Sequence, residues 1–311
     1  MPKIFKALSL AAALLLPQAT ALAWGDTGHM VVGQIAFSRL RQRAANRVAE
    51  LAPEMNFEKM AGNPRRMTLF TYTPVSLAVW MDDYKDVSDE YDEWHYINKP
   101  LPPRAVNMPA VNVQRKLGEI IAELRAGVRD GTLSRKREAT LLAFLFHLVG
   151  DVHQPMHAAS RWRDANRHDL GGNNFPLTHP RRDNLHSYWD AAGGYFNFRD
   201  PRHRTTGRLT GPELTRIRNY ASAVTSASPP GSTPGWRNLD VGAWVEESYD
   251  LAGRYAYGDI TPNGRPTRLR VAGLNGGQQT YERRAREVSA RRIALAGYRL
   301  AELLNDIYRQ Q

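Results

Sequence analysis

Polar side chains interrupt an otherwise apolar stretch in the middle of the chain, LLAFLFHLVGDVHQPMH (141–157), and they are His147, Asp151, His153 and His157. At about 100° per residue, His147 and Asp151 lie roughly 40° apart on one helix face. Pro155 cannot continue a helix without cost, so His157 is expected at or just past its end, turned toward the same place. A carboxylate facing a core must be paired, hydrogen-bonded or bound to a metal. The stretch therefore predicts three metal ligands converging at one helix terminus.

A lone histidine and aspartate at this spacing are more simply interpreted as core residues satisfied by their neighbours. Three further pairs favour a metal site: His186 and Asp190, which repeat the His-x-x-x-Asp spacing on a second predicted helix; Asp82 and His95, which bracket a short connection; and Trp24 and His29, close behind a predicted signal-cleavage point. Together these residues form a nitrogen- and oxygen-rich ligand set without a thiolate. Such a set suits zinc.

Residues 1–23 have the composition of a cleavable signal peptide. Two lysines precede an apolar run over residues 7–16, and a small-x-small sequence follows it. The run is shorter than the roughly 20 residues that a membrane-spanning helix needs. The sequence predicts cleavage after Ala23, a mature chain of residues 24–311 forming one domain, and a secreted or periplasmic protein without a membrane anchor.

Composition bounds what this chain can be. Its 311 residues, 42% of them hydrophobic, suffice for a sizeable core. It contains no cysteine, so stability must come from the core and from metals rather than disulfides. The formal net charge of +11 favours polyanions such as nucleic acid, although cationic surfaces are common. Cleavage would also free the α-amino group of Trp24, which with a reference pKa of about 7.7 to 8 can lose its proton and bind a metal.

The elements that must position these residues are helices. Helical spacing of apolar residues predicts helices over 28–52, 113–128, 136–154, around 185–190, 240–257 and 281–308. Residues 53–76 carry no clear periodicity, 158–184 are expected to form a surface excursion, and 196–208 and 228–235 are expected to be irregular. There is no repeat and no strand-rich region. The predicted fold is mainly α, a single-domain multi-helix bundle with a metal cleft, and the arginines of the last helix are expected on its solvated face.

The motifs resemble one enzyme family in particular. In order, they are WGDTGH, WMDDYK, HYIN, HLVGDVHQPMH, GGN and NLHSYWD. This series is similar to that of the zinc-dependent single-strand nucleases of fungi, plants and bacteria, which are also 3′-nucleotidases, and it covers nearly all of the mature chain. The zinc phospholipases C share the architecture and the terminal tryptophan, but their first histidine lies further from it. The spacing from Trp24 to His29 favours the nuclease.

The resemblance implies three zinc ions and a ligand set for each. One zinc would be held by Asp82, His95, His147 and Asp151; a second by His157, His186 and Asp190; and a third by the amine and carbonyl of Trp24, by His29 and by the other oxygen of Asp151. Asp82 matches the family's Trp-x-Asp motif, although its neighbour Asp83 stays an alternative.

The resemblance also implies a reaction. Zinc-bound hydroxide would attack phosphorus in line and a zinc would stabilise the leaving 3′ oxygen, so that single-stranded DNA and RNA are cut to 5′-phosphorylated nucleotides. Lys85 stands where the family often has arginine, and it can neutralise transition-state charge without a bidentate fork. Asn98 replaces a common base-contacting aspartate, which leaves the base preference open. Tyr96 is a candidate platform for stacking a base, with core packing as its alternative role.

Two other functions are weighed against the nuclease. A zinc phospholipase C would use the same metals on phospholipid head groups, and would cleave lipid dispersions rather than polynucleotides. A non-catalytic cationic helical protein would bind nucleic acid without turnover and without metals, which would leave the buried ligand set unexplained. The favoured prediction is a monomeric zinc-dependent endonuclease and 3′-nucleotidase.

Overall fold

A computed structural model describes residues 24–62, 65–164, 167–179, 182–196, 207–258, 269–270 and 278–310. The predicted signal peptide lies outside the described residues. The described residues form ten α-helices: α1 (Asp26–Phe37), α2 (Gln42–Leu51), α3 (Trp80–Tyr84), α4 (Val113–Asp130), α5 (Arg135–Val152), α6 (Pro155–Ala158), α7 (Leu185–Asp190), α8 (Gly211–Ala227), α9 (Val241–Leu251) and α10 (Gln278–Ile307). The mainly α fold predicted from the sequence is confirmed.

Short strands accompany the helices: β1 (Asn56–Ala61), β2 (Arg66–Thr71), β3 (Lys99–Leu101), β4 (Ala159–Arg161), β5 (Pro176–His179), β6 (Arg182–Asn184) and β7 (Leu269–Arg270). Strands β1 and β2 form an antiparallel hairpin, β3 pairs with β4 in parallel, and β5 lies between β6 and β7. The hairpin falls where the sequence showed no periodicity. Its outward face carries the exposed apolar side chains of Met60, Met67 and Leu69, so apolar and polar residues do not alternate along it.

Helix α5 forms the centre of the molecule. Every residue from Leu141 to Val152 is buried, so the helix contacts other elements on all sides. Its first turn is capped by the Ser134 hydroxyl, which accepts a hydrogen bond from the Arg137 amide. Pro155 then begins α6, so α5 ends before His157, as the sequence predicted. This junction is where the ligand-bearing part of the stretch lies.

The prediction of one helix over residues 28–52 is wrong, because two helices occupy this range. Between α1 and α2 the chain is held by Asn305 of α10, which accepts a hydrogen bond from the Arg41 amide at 2.7 Å and donates one to the Arg39 carbonyl at 3.1 Å. These bonds replace those that a continuous helix would make. The apolar spacing continues across the break and therefore concealed it.

Helix α8 has no counterpart among the sequence predictions. It buries little, chiefly Ile217, Ala221 and Val224, so its apolar pattern is weak. Its start does carry a signal, since Thr210 and Glu213 form a reciprocal capping box. No helix among the described residues has both the length and the apolar character needed to cross a membrane.

Glu138, at the front of α5, joins three parts of the molecule. Its carboxylate accepts hydrogen bonds from Arg47 of α2 and from the Tyr308 hydroxyl at 2.9 Å. We expect Glu138→Ala to lower the free energy of unfolding by about 1–2 kcal/mol, because Tyr308 loses its partner inside the protein while Arg47 is partly exposed and can turn to water. Urea unfolding measures the change.

Glu119→Ala is the matched control, since the partners of this exposed carboxylate within the described part of the chain are Arg115 and Lys116 on its own helix. It should alter stability by less than about 0.5 kcal/mol. Equal effects of the two substitutions would contradict a structural role for Glu138.

Candidate metal centre

His147 and Asp151 lie one turn apart at the C-terminal half of α5, and both are fully buried. His147 Nδ1 lies 2.8 Å from the carbonyl oxygen of Ala78. A carbonyl only accepts, so Nδ1 carries the proton and the lone pair of Nε2 faces Asp151, whose Oδ2 is 3.3 Å away. A fixed tautomer of this kind suits a metal-binding histidine.

His157 and His186 are oriented in the same manner by backbone carbonyls. Nδ1 of His157 donates to the His95 carbonyl at 2.6 Å, and Nδ1 of His186 donates to the Gly171 carbonyl at 2.8 Å. Gly171 has a φ of +61°, and a Cβ there would lie 2.8 Å from the Met156 carbonyl oxygen. Only glycine fits this turn without strain, so the GGN motif places the carbonyl that orients His186.

Eight of the nine predicted ligands converge in three groups, within each of which the ligand atoms lie no more than 4.8 Å apart. We call them the His29 group (His29, His147, Asp151), the Asp82 group (Asp82, His95, His147) and the His157 group (His157, His186, Asp190). The resemblance assigned His147 to one zinc, whereas in the structure its side chain adjoins two groups.

Asp151 lies between two of these groups. Its Oδ1 is 3.3 Å from His29 Nε2, and its Oδ2 is 2.8 Å from His95 Nδ1. Each carboxylate oxygen therefore faces a different set of ligands. This is the geometry that a bridging carboxylate requires.

Trp24, the ninth predicted ligand, lies beside the His29 group. Its side chain is buried and adjoins Gly150, against which the His29 ring packs. The Gly25 amide donates a hydrogen bond to the Asp190 carbonyl at 2.9 Å, which fixes the chain immediately after Trp24. Since residue 23 is outside the described residues, a chain beginning with a free amine at Trp24 stays a prediction.

Asp82 and Asp83 occupy different surroundings. Asp82 belongs to a ligand group, and its Oδ1 lies 2.9 Å from Lys85 Nζ. Asp83 pairs with Lys59 at 2.9 Å and accepts a hydrogen bond from the Tyr72 hydroxyl at 2.9 Å. The geometry supports Asp82 as the ligand.

The residues present fit a metal. Nε2 of His157 and of His186 is buried and makes no hydrogen bond within the part of the chain that the structure describes, and the same holds for Asp82 Oδ2. Buried polar atoms of this kind are costly unless a partner binds them. Imidazole nitrogens and carboxylate oxygens without sulfur form a donor set that zinc accepts.

Burial controls the protonation of these groups. It lowers the pKa of His186 to about 4 and holds the pKa values of His147 and His157 well below their ordinary value, so the rings are neutral at pH 7. Burial also raises the pKa of Asp151 to about 7, against the opposing influence of His29. The neutral imidazoles therefore offer the buried carboxylates no positive charge. A divalent cation bound among them would supply it and would favour the ionised form of the carboxylates.

Asp82 differs from the other buried carboxylates. Burial opposes its ionisation, yet the ammonium group of Lys85 lowers the pKa of Asp82 below its ordinary value. The Lys85 side chain is 10% exposed, so its positive charge lies at the edge of the cluster.

Tyr96 and Asn98 lie one and three residues after His95, a predicted ligand. Tyr96 is half-buried, and its carbonyl accepts a hydrogen bond from the Val113 amide at 3.1 Å. Asn98 has a φ of +51°, which asparagine tolerates better than most residues, and its carbonyl accepts a bond from Trp162 Nε1. A Cβ at Gly171 would lie 3.0 Å from Asn98 Oδ1, so Asn98 lies beside the His157 group.

His153 uses both ring nitrogens away from the ligand groups, as a packed residue would. Nδ1 donates to the Val149 carbonyl at 2.7 Å and Nε2 accepts from Arg299 at 3.0 Å. Arg292 donates to the His153 carbonyl, and Glu247 accepts from both arginines. The expectation that the arginines of α10 form a solvated face is wrong for Arg292 and Arg299, which are 3% and 0% exposed. Their seven-residue spacing places both on one face of α10, and this spacing could have indicated a shared environment.

Gly150 allows the His29 ring to approach α5. A Cβ at this position would lie 2.7 Å from His29 Nδ1. We expect Gly150→Ala to displace His29 and weaken zinc binding at the His29 group by about 10–100-fold, as other changes that misplace a ligand do. Zinc titration against a competing chelator measures this.

Gly118→Ala is the control for the previous substitution. Gly118 is an exposed glycine inside α4, and a Cβ there meets nothing within 4 Å. It should leave zinc affinity unchanged and stabilise the protein by up to about 1 kcal/mol. Unaltered zinc binding in Gly150→Ala would contradict the proposed contact.

Comparison with known proteins assigns the family. The family model described as S1/P1 Nuclease matches residues 24–309. Nuclease PA3 of Penicillium sp is 26% identical over 306 residues, covering 92% of this chain and 98% of the relative. Nuclease S1 of Aspergillus oryzae is 26% identical over 323 residues, covering 96% of each, and Endonuclease 3 of Arabidopsis thaliana is 26% identical over 304 residues, covering 93% and 90%. The alternative of a phospholipase C is not favoured. As the motifs predicted, this chain belongs to the S1/P1 nuclease family.

Proposed function

We propose that this protein is a zinc-dependent endonuclease that hydrolyses single-stranded DNA and RNA to 5′-phosphorylated nucleotides and also acts as a 3′-nucleotidase. The observation that carries the proposal is the convergence of eight buried histidine and aspartate side chains in three adjoining groups. Three zinc ions are proposed, one at each group, with Trp24 completing the His29 group.

Bound zinc supplies a strong nucleophile from water at neutral pH and stabilises negative charge on phosphate oxygens. The chain's own residues organise that chemistry. Asp151 directs one oxygen to each of two groups and so fixes their separation. The buried imidazoles are already deprotonated on the ligand nitrogen, so binding a cation requires no proton to leave them.

Lys85 is proposed to offset negative charge that develops on the phosphate. It lies at the edge of the Asp82 group with its ammonium charge maintained by Asp82, although burial opposes that charge. An ammonium group acts as a point charge, so it can attract phosphate without imposing the two-point geometry of an arginine.

Tyr96 and Asn98 are proposed to bind the nucleotide base. Stacking on an aromatic ring contributes about 1–3 kcal/mol per base and tolerates any sequence. A base must leave the duplex stack before it can lie on such a ring, which favours single strands. The asparagine amide offers both a donor and an acceptor, so we expect a broad base preference.

The proposal includes the maturation of the chain. Residues 1–23 are proposed to be a signal peptide cut after Ala23, leaving residues 24–311 as one nuclease domain. The mature protein is proposed to be a secreted or periplasmic monomer.

Zinc analysis and substrate hydrolysis together test the function. The processed protein is assayed for zinc content and for cleavage of single-stranded DNA, RNA and a phosphatidylcholine dispersion, before and after chelation. We expect close to three zinc ions per chain and release of 5′-nucleotides that the chelator abolishes. Lipid cleavage alone, or a protein that binds no zinc, would overturn the proposal.

A further inference from the structure

Gln154 lies between the two short helices that carry the His157 group. Its side chain is fully buried, and it lies two residues after Val152, the last residue of α5. The amide Nε2 donates a hydrogen bond to Asp190 Oδ1 on α7 at 2.7 Å, and Oε1 accepts one from the Met156 amide in the first turn of α6. One side chain thus connects the helix that bears His157 to the carboxylate of Asp190.

The hydrogen bond from Gln154 gives the two oxygens of Asp190 different surroundings. Oδ1 accepts a hydrogen bond from the Gln154 amide and lies 4.0 Å from His157 Nε2, whereas Oδ2 lies 3.6 Å from His186 Nε2. Nε2 of His157 and of His186 makes no hydrogen bond among the described residues, and both are buried. With its Oδ1 engaged, Asp190 offers Oδ2 to an ion that the two imidazoles also reach. The group would then provide three protein donors to a bound zinc.

The amide group is the feature that distinguishes this role from simple capping. Any small side chain with an acceptor could cap the first turn of α6. A donor is needed to bind a carboxylate oxygen in a pocket that excludes water. Gln154 supplies such a donor, since its Nε2 lies 2.7 Å from Asp190 Oδ1.

We propose that Gln154 is a positioning residue of the His157 group, which orients Asp190 so that Oδ2 is its ligand oxygen. The inference rests on the proposed function, in that it takes the His157 group to bind zinc. It assigns no contact between Gln154 and the substrate. Its effect passes through Asp190 alone.

A double-mutant cycle read out by zinc binding tests the proposal. Gln154→Met keeps the length of the side chain and removes both hydrogen bonds. Successive zinc affinities are measured by competition with a chromophoric chelator for the wild type, Gln154→Met, Asp190→Ala and the double variant. We expect Gln154→Met to weaken one zinc equivalent by about 10–100-fold, and to have less than about a twofold effect once Asp190 is alanine.

Asn305→Leu is the matched control. It also removes a buried amide that bridges two segments, but Asn305 contacts Arg39 and Arg41 rather than a ligand. It should lower stability and leave every zinc affinity unchanged.

Two results would overturn the inference. The first is that Gln154→Met binds every zinc equivalent with the affinity of the wild type. The second is that Gln154→Met lowers zinc affinity equally in the wild type and in Asp190→Ala, which would mean that Gln154 acts by capping α6. Both are distinct from failure of the proposed function, in which the wild-type protein itself would bind no zinc.

Discussion

Replacing Asp151 with alanine should reduce hydrolysis of single-stranded DNA by about 1,000-fold or more, because two ligand groups lose a shared carboxylate and with it several kcal/mol of transition-state stabilisation. The side chain is fully buried and faces His29 with one oxygen and His95 with the other. The loss should appear in kcat and in zinc content together. Initial rates and elemental analysis of the purified variant measure both.

Asp83→Asn provides a matched comparison. This carboxylate lies next to Asp82 in sequence but binds Lys59 and Tyr72 instead of a ligand group. We expect its activity to stay within about threefold of the wild type, since its contacts with Lys59 and Tyr72 lie outside the three ligand groups. Full activity in Asp151→Ala, or equal loss in both variants, would contradict the assignment of ligands.

A chain that retains even one residue before Trp24 should lose most of its activity, by about 100-fold, because an amide nitrogen replaces the amine proposed as a zinc ligand. The first described residue is buried beside Gly150 and the His29 group, so an added residue changes the surroundings of that group directly. Zinc content should fall by one ion per chain, measured on a form expressed with an additional alanine.

Trimming provides the control for this prediction. Treating the extended form with an aminopeptidase until Trp24 is the first residue should restore both the missing zinc and the activity. An extended form that is fully active and holds as many zinc ions as the trimmed one would rule out the terminal amine as a ligand.

Much of the candidate site could be predicted because burying its polar side chains costs free energy unless a partner binds them. His147 and Asp151 interrupt an apolar helix, and such an interruption needs a compensating partner. The spacing on α7 repeated the signal, and the motifs supplied the partners that spacing alone could not. The spacing of residues along the sequence could not show that His147 belongs to two groups. That depends on how α1 and α3 pack against α5.

The features that escaped prediction depend on contacts between distant parts of the chain. The break between α1 and α2 is set by Asn305, more than 260 residues away, and local apolar spacing carries no trace of it. Arg292 and Arg299 look like surface residues by type, but share Glu247 and meet His153 inside the protein. Nothing in the residue type or local spacing of Gln154 indicates a special role. Its hydrogen bond to Asp190 becomes visible only in the folded structure.

The contact between the first and last long helices has a consequence for the order of folding. Gly297 of α10 packs directly on Ile35 of α1, where a Cβ would lie 2.5 Å from the isoleucine side chain, and Asn305 holds the turn that follows α1. Contacts across such a separation form only after a long loop has closed. Since α10 follows α1 in the chain, we expect His29 on α1 to reach its final position only after α10 has been synthesised.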